Sequence, residues 1–188
     1  MANAVSSGWV NGYSVRCLVY AIFGQITCAV EATIEQLSDY ERERGKPTPT
    51  LNHAYVQKNL LVSLDYQYRK TYTVLSELNL TMPQRPDTVP DIAICPRLQI
   101  DFLHDVMSMT QMPLTVVEII SPSQAHEEIL AKFERYFHAG VQSCWLVMPS
   151  LQAIAVYSAI GKYQFFPETA LLTDTATGIE LNLGEIFV

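Results

Sequence analysis

Apolar residues recur along the chain with two different periods, three to four and two. From Asn52 to about Arg69 the stripe Val56, Leu60, Leu61, Leu64 and Tyr68 returns every three or four residues, which predicts a helix. His53 and Gln57 extend that stripe toward the helix N-terminus, so both lean toward the interior. A second helix is predicted over 124–140, "QAHEEILAKFERYFHAG", with Ile129, Phe133, Tyr136 and Phe137 inward and Gly140 closing it. A shorter one is predicted over 33–43, where Ile34, Leu37 and Tyr40 stand three apart, and Gly45-Lys46-Pro47 stops it.

The strands show the shorter period or none. "TYTVLSELNL" (71–80) alternates, and "VPDIAICP" (89–96) is opened by Pro90 and closed by Pro96. Residues 114–120 and "SCWLVM" (143–148) are nearly unbroken apolar runs, as expected of strands covered on both faces. "AIAVYS" and "KYQFF" form a predicted hairpin around Ile160-Gly161, and "IELNLGEIF" (179–187) closes the chain. Residues 97–112, with three methionines, read as a surface connection. The strand–helix–strand unit 114–148 predicts a right-handed crossover between parallel strands. The order of elements predicts an α/β class: a mixed sheet flanked by helices, with additional strands at the C-terminal end.

Composition narrows this picture without naming a function. A chain of 188 residues, 49% apolar and only 16% charged, buries a proper core and is not disordered. Its net charge of −7 argues against nucleic-acid binding by electrostatics alone; any such contact must be local or helped by a bound metal. Cys17, Cys28, Cys95 and Cys144 form no CxxC pair, so free thiols in a reducing cytoplasm are expected. "CLVYAIFGQITCAVEA" (17–32) has the look of a signal-peptide core, but it is too short to span a bilayer and Gly24-Gln25 interrupts it. It reads as a buried strand or helix within an N-terminal extension, 1–32, to which the sequence assigns no role, and no membrane partner is expected. No GxSxG, P-loop or dinucleotide fingerprint is present, which argues against an unrelated α/β hydrolase or a small-molecule binder.

One residue breaks the apolar pattern where a break is most costly. In "PLTVVEIISPS" (113–123), Glu118 sits among Leu114, Val116, Val117, Ile119 and Ile120. Burying an ionised carboxylate without a partner is strongly unfavourable, so a cation, a metal or a proton must meet it. Asp91, directly after Pro90, stands on the neighbouring predicted strand, and two converging carboxylates raise each other's pKa unless a cation sits between them. Mg²⁺ accepts a small number of carboxylates together with water and substrate phosphate. Lys132, on the helix that follows, reaches the same sheet edge. Each residue also has a plainer reading: Glu118 in an ion pair with Lys132 or Arg135, Asp91 as a strand-start residue, Lys132 in a helix pair with Glu128.

Taken together, "VPDIAI…LTVVEIISPS…AKFERYFHAGVQSCWLV" resembles the Uma-type family of restriction endonucleases, a bacterial branch of the PD-(D/E)XK nuclease superfamily. The resemblance runs over residues 33–188 and implies a single nuclease-like domain with a restriction-endonuclease-like core. The superfamily's usual lysine position, two after the glutamate, is Ile120 here; in this branch the lysine has moved to the following helix, which points to Lys132. Two segments depart from the family pattern. The acidic "E…DGE" stretch before the first long helix is shortened to "YERERGKPTPTLNH", so Glu43 or Glu41 would have to supply its acid, and His53 matches the family's histidine. Met148-Pro149 stands where the family often has Asp-Pro.

What the resemblance implies is a metal-dependent endonuclease that hydrolyses phosphodiester bonds, most readily in DNA. Asp91 and Glu118 would hold one Mg²⁺ (or Mn²⁺), with the backbone carbonyl of Ile119, and the metal would polarise the scissile phosphate and acidify a bound water. Lys132 would orient that water and offset transition-state charge. His53 and Gln57 would contact phosphate or water. Glu77 would add a metal contact, unless it is a solvent-facing strand acid. Arg42, Arg44, Lys46, Lys58, Arg69 and Lys70 would form a modest basic rim. His104, His126 and His138 show no ligand spacing and read as surface residues. A cytoplasmic homodimer would offer one site to each strand of a duplex. The competing expectation is a catalytically inactive nuclease fold kept as a binding or mobile-element-associated module.

Overall fold

The computed structural model describes residues 48–84, 86–121 and 126–188 with their side chains, together with the backbone of three strands nearer the N-terminus. The chain divides into two units, Met1–Thr48 and Pro49–Val188. In the first, β1 (Val5–Val10), β2 (Tyr13–Ile22) and β3 (Gln25–Glu31) pair antiparallel in sequence order. Within the apolar stretch 17–32, residues 17–22 and 25–31 are therefore strand. The helix expected over 33–43, and with it Glu41, Arg42, Glu43, Arg44 and Lys46, lies outside the described residues.

The second unit opens with α1 (Leu51–Tyr68), whose N-cap Thr50 accepts the His53 amide through Oγ1 at 3.4 Å. A six-stranded sheet follows, in which β4 (Tyr72–Ser76), β5 (Ile92–Pro96), β6 (Thr115–Ile119), β7 (Ser143–Met148), β8 (Ala153–Ala159) and β9 (Lys162–Pro167) lie in sequence order. All neighbours run antiparallel except β6 and β7, which are parallel and joined through α2 (His126–His138). This is the expected mixed sheet flanked by helices. Gly140, at φ +102°, ends α2, and the Val141 amide reaches back to the Tyr136 carbonyl at 3.1 Å. Among the described residues no helix is long and apolar enough to cross a membrane.

Alternation assigns each strand residue a face. Val117, Ile119, Trp145, Val147, Ile154 and Val156 join Val56, Leu60 and Leu64 of α1 on one side of the sheet. Val116, Cys144, Leu146, Ala155 and Tyr157 join Ile129, Phe133 and Tyr136 of α2 on the other. The α1 side is completed by Leu172, Ile179, Leu181, Leu183 and Ile186. These come from the hairpin β10 (Leu171–Asp174) and β11 (Ile179–Asn182) and the 3-10 turn after it.

Three local expectations change. The strand expected over 71–80 stops at Ser76, because Glu77 adopts φ +50° and turns the chain out of the sheet. The strand expected from Val89 begins at Ile92; Pro90 has no N–H to give to a ladder. Strand β10 was not foreseen: its apolar run, "LLTD", is too short to show a period. Residues 97–112 are a surface connection as expected, although Phe102, Leu103 and Met107 are almost fully exposed.

Candidate active site

The register of β5 and β6 brings the two acids together. Ile92 pairs with Val117, Ala93 with Val116 and Ile94 with Thr115. One step further along this antiparallel pair sets Asp91 beside Glu118. Main-chain pairing ends there, and the Asp91 carboxylate continues it: its Oδ2 accepts the Ile119 amide at 2.7 Å. Ile119, expected to take part through its carbonyl, thus meets Asp91 through its N–H. The carbonyl of Asp91 accepts Gln57 Nε2 at 2.9 Å and the Glu77 amide at 3.2 Å, so the residue is held from three directions. His53 Nε2 lies 3.5 Å from Asp91 Oδ1, while its buried Nδ1 has no hydrogen-bond partner among the described residues.

Glu118 belongs to the α2 face by alternation and is 3% exposed. Its Oε2 accepts Lys132 Nζ at 2.8 Å and its Oε1 accepts the Tyr136 hydroxyl at 2.7 Å. Lys132 and Tyr136 are four apart on α2, so both reach the carboxylate from one helix face. Burial pushes the Glu118 carboxyl above the ordinary carboxylate range; Lys132 opposes that shift and the charge on Asp91 adds to it. The Tyr136 hydroxyl is likewise pushed well above its usual pKa, by burial first and then by Glu118. The ion pair with Lys132, one of the plainer readings of Glu118, is therefore present. Arg135 takes no part in it and donates instead to the Pro86 carbonyl.

The remaining candidates fall into two groups. His53 and Gln57 are brought to Asp91, as is the backbone of Glu77. An open groove of about 380 Å³ runs beside them, lined by Ala54, Gln57, Lys58, Leu61, Ser76 and Glu77. The Lys58 ammonium there sits 4.7 Å above the Tyr55 ring. His104 pairs with Asp101 on the surface, His138 bonds the Glu134 carbonyl, and His126 is exposed. Arg69 is held by Asp65 on its own helix rather than offered to a ligand. Glu43 lies outside the described residues.

A divalent cation fits this donor set. Two hard carboxylates stand on adjacent strands in one register, with Lys132 against Glu118 and His53 near Asp91. Among the described residues no three His, Cys, Asp or Glu side chains gather closely enough to hold an ion by themselves. The rest of a coordination shell would come from backbone, water and substrate phosphate, which is the habit of Mg²⁺.

Two hydroxyl-bearing residues escaped sequence reasoning in a ligand-facing sense. Tyr136 reads from the sequence as a core aromatic on the inward stripe of α2, and it is one; its position four residues after Lys132 was the available signal that its hydroxyl reaches Glu118. Thr88, whose Oγ1 lies 3.0 Å from the Tyr136 hydroxyl, gave no signal at all.

The family model of Uma2, described as "Putative restriction endonuclease", matches residues 31–184. The chain belongs to the Uma2 family. Its fold is similar to that of a crystallographically determined putative nuclease of DUF820 from Anabaena variabilis, with a TM-score of 0.65 at 20% identity, covering 90% of this chain and 89% of that one. At that identity the likeness speaks for the fold alone. No curated protein matches the sequence. Membership in Uma2 therefore carries the nuclease reading, and Asp91, Glu118 and Lys132 lie within the matched residues.

Proposed function

We propose that this Uma2 protein is a metal-dependent endonuclease acting on phosphodiester bonds of DNA, with Asp91, Glu118 and Lys132 as its reactive centre. The observation that carries this reading is the pair of adjacent acids, one of them deeply buried, with a lysine directly on it. Asp91 and Glu118 would hold Mg²⁺ or Mn²⁺, with the Ile119 carbonyl as a third donor. When bound, the ion supplies Lewis-acid polarisation of the scissile phosphate.

The chain's own groups do the rest. Lys132 is about one-third exposed while bonded to Glu118, so part of its side chain stays open to an incoming phosphate. It orients the attacking water and offsets charge that develops on the phosphoryl oxygens. His53, against Asp91, contacts phosphate or water through its imidazole. Gln57 holds the Asp91 main chain and so fixes the position of its carboxylate. Lys58, in the groove beside Asp91, gives the flanking strand a cation despite the chain's negative balance; Glu77 in the same groove keeps phosphate to the lysine side. A homodimer would present two such centres to a duplex.

A second reading keeps the fold without the chemistry. Glu118 is already satisfied by Lys132 and Tyr136, so the unit does not need a metal to bury this acid. An inactive nuclease-fold binding module would look the same at this point. Calorimetric titration of Mn²⁺ separates the two readings, done with wild type and Glu118→Ala in the presence of a short phosphorothioate DNA duplex. Saturable binding lost in the variant supports the endonuclease; no binding by wild type supports the binding module.

A further inference from the structure

We propose that Tyr136 is a positioning residue for Glu118, acting as the middle member of a hydroxyl chain Thr88–Tyr136–Glu118. The proposal rests on the reading of Glu118 as a metal ligand and adds a component that the acidic pair and lysine do not contain.

The direction of the chain follows from proton counting. A phenol has one proton, and Tyr136 gives it to Glu118 Oε1 at 2.7 Å. The 3.0 Å contact with Thr88 Oγ1 must then run the other way, with Thr88 donating to the Tyr136 oxygen. Hydrogen bonds linked in one direction polarise one another, so Thr88 strengthens the bond that Tyr136 makes to the carboxylate.

The chain is fixed at its middle and at its Thr88 end. The Tyr136 ring is fully buried among the residues of the α2 face. Thr88 forms two main-chain bonds with the buried Leu80, donating to its carbonyl at 3.2 Å and accepting its amide at 2.8 Å. Arg135, next to Tyr136, ties α2 to the same segment through the Pro86 carbonyl. A buried tyrosine hydroxyl needs one partner, and Thr88 alone would serve. The second bond goes to a carboxylate that already holds Lys132 on its other oxygen. With both oxygens anchored, the orientation of the Glu118 carboxylate is set by the chain's own groups.

Partners of this kind behind a metal ligand typically change affinity by about 10–100-fold when removed. The test is the Mn²⁺ titration of the full chain with a phosphorothioate duplex, applied to wild type, Tyr136→Phe and Thr88→Val, with thermal melting in EDTA run alongside. Tyr136→Phe keeps the ring and deletes only the hydroxyl. The expected result is a weakening of Mn²⁺ binding by about tenfold or more in Tyr136→Phe. Thr88→Val should show a smaller weakening in the same direction, and neither loss should track the change in Tm. Wild-type affinity in a folded Tyr136→Phe would overturn the proposal while leaving the metal site standing. Absence of Mn²⁺ binding in wild type would overturn the metal site and the positioning role together. Should Tyr136→Phe fail to fold, Thr88→Val decides: unchanged affinity there overturns the chain.

Discussion

Lys132 Nζ lies 2.8 Å from Glu118 Oε2, although the two residues are 14 apart in sequence and on different elements. A lysine two residues after Glu118 on the same strand would share its face, since strand residues alternate. Lys132 reaches that face from α2, which packs over it. The pairing makes the strength of this contact measurable. Glu118→Gln and Lys132→Met should each destabilise the protein by about 1–3 kcal/mol, because each leaves a buried or half-buried group without its partner. The double variant should recover part of that loss. Chemical denaturation of the four proteins in EDTA forms the cycle; strictly additive losses would mean the pair contributes no coupling.

The burial of Glu118 sets a pH dependence. The Glu118 carboxyl is raised above its unfolded value, with burial as the largest cause. Its contribution is therefore fully favourable below the ordinary carboxylate pKa and is lost as pH rises through the higher folded value. Without divalent cations, Lys132→Met should lose more stability over that rise than wild type does, because it lacks the ammonium that opposes the shift. Mg²⁺ with a phosphorothioate duplex should restore stability at neutral pH and have little effect well below the carboxylate range. Denaturation midpoints across pH, with and without the ion, check both signs.

Asp174 is the contrasting acid. It is buried, and its carboxylate receives Trp145 Nε1 at 3.0 Å, Thr115 Oγ1 at 3.2 Å and the Ala176 amide at 3.0 Å. Trp145 lies on the α1 side of the sheet, opposite Glu118. Asp174→Ala should cost about 3 kcal/mol or more by orphaning buried donors, yet leave Mn²⁺ affinity of the folded protein unchanged. A matched loss of affinity would mean the two faces are coupled.

The two described thiols should be inert in the native state. Burial pushes Cys95 up to about 11, and Cys144 is raised further by burial and by the charge on Glu118. Peptide-resolved alkylation at neutral pH should modify neither until denaturant exposes them; rapid labelling of Cys144 would show that the β7 strand opens locally.

Much of the site was legible because it depends on period. Alternation along 114–120 places Glu118 on one face, and the spacing of Ile129, Phe133 and Tyr136 places Lys132 near that face. What was not legible depends on partners distant in sequence. Asp174 carries no signal in the sequence; Trp145 and Thr115, 29 and 59 residues away, make it a core group. Gln57 reads as a ligand-facing side chain, yet it bonds the Asp91 main chain. Glu77 reads as a strand residue, and a single positive φ removes it from the sheet.

Asp91, Glu118 and Lys132 are proposed to cleave phosphodiester bonds with a divalent ion. The most direct measurement is cleavage of end-labelled single-stranded, duplex and branched DNA, and of RNA, in Mg²⁺, Mn²⁺ or EDTA, by wild type and Asp91→Asn. The account predicts DNA cleavage by wild type that requires the ion and is absent in EDTA, with a loss of about 100-fold or more in the folded Asp91→Asn variant. Cleavage that persists in EDTA or in Asp91→Asn would contradict it, as would no cleavage of any substrate by a wild type that binds Mn²⁺.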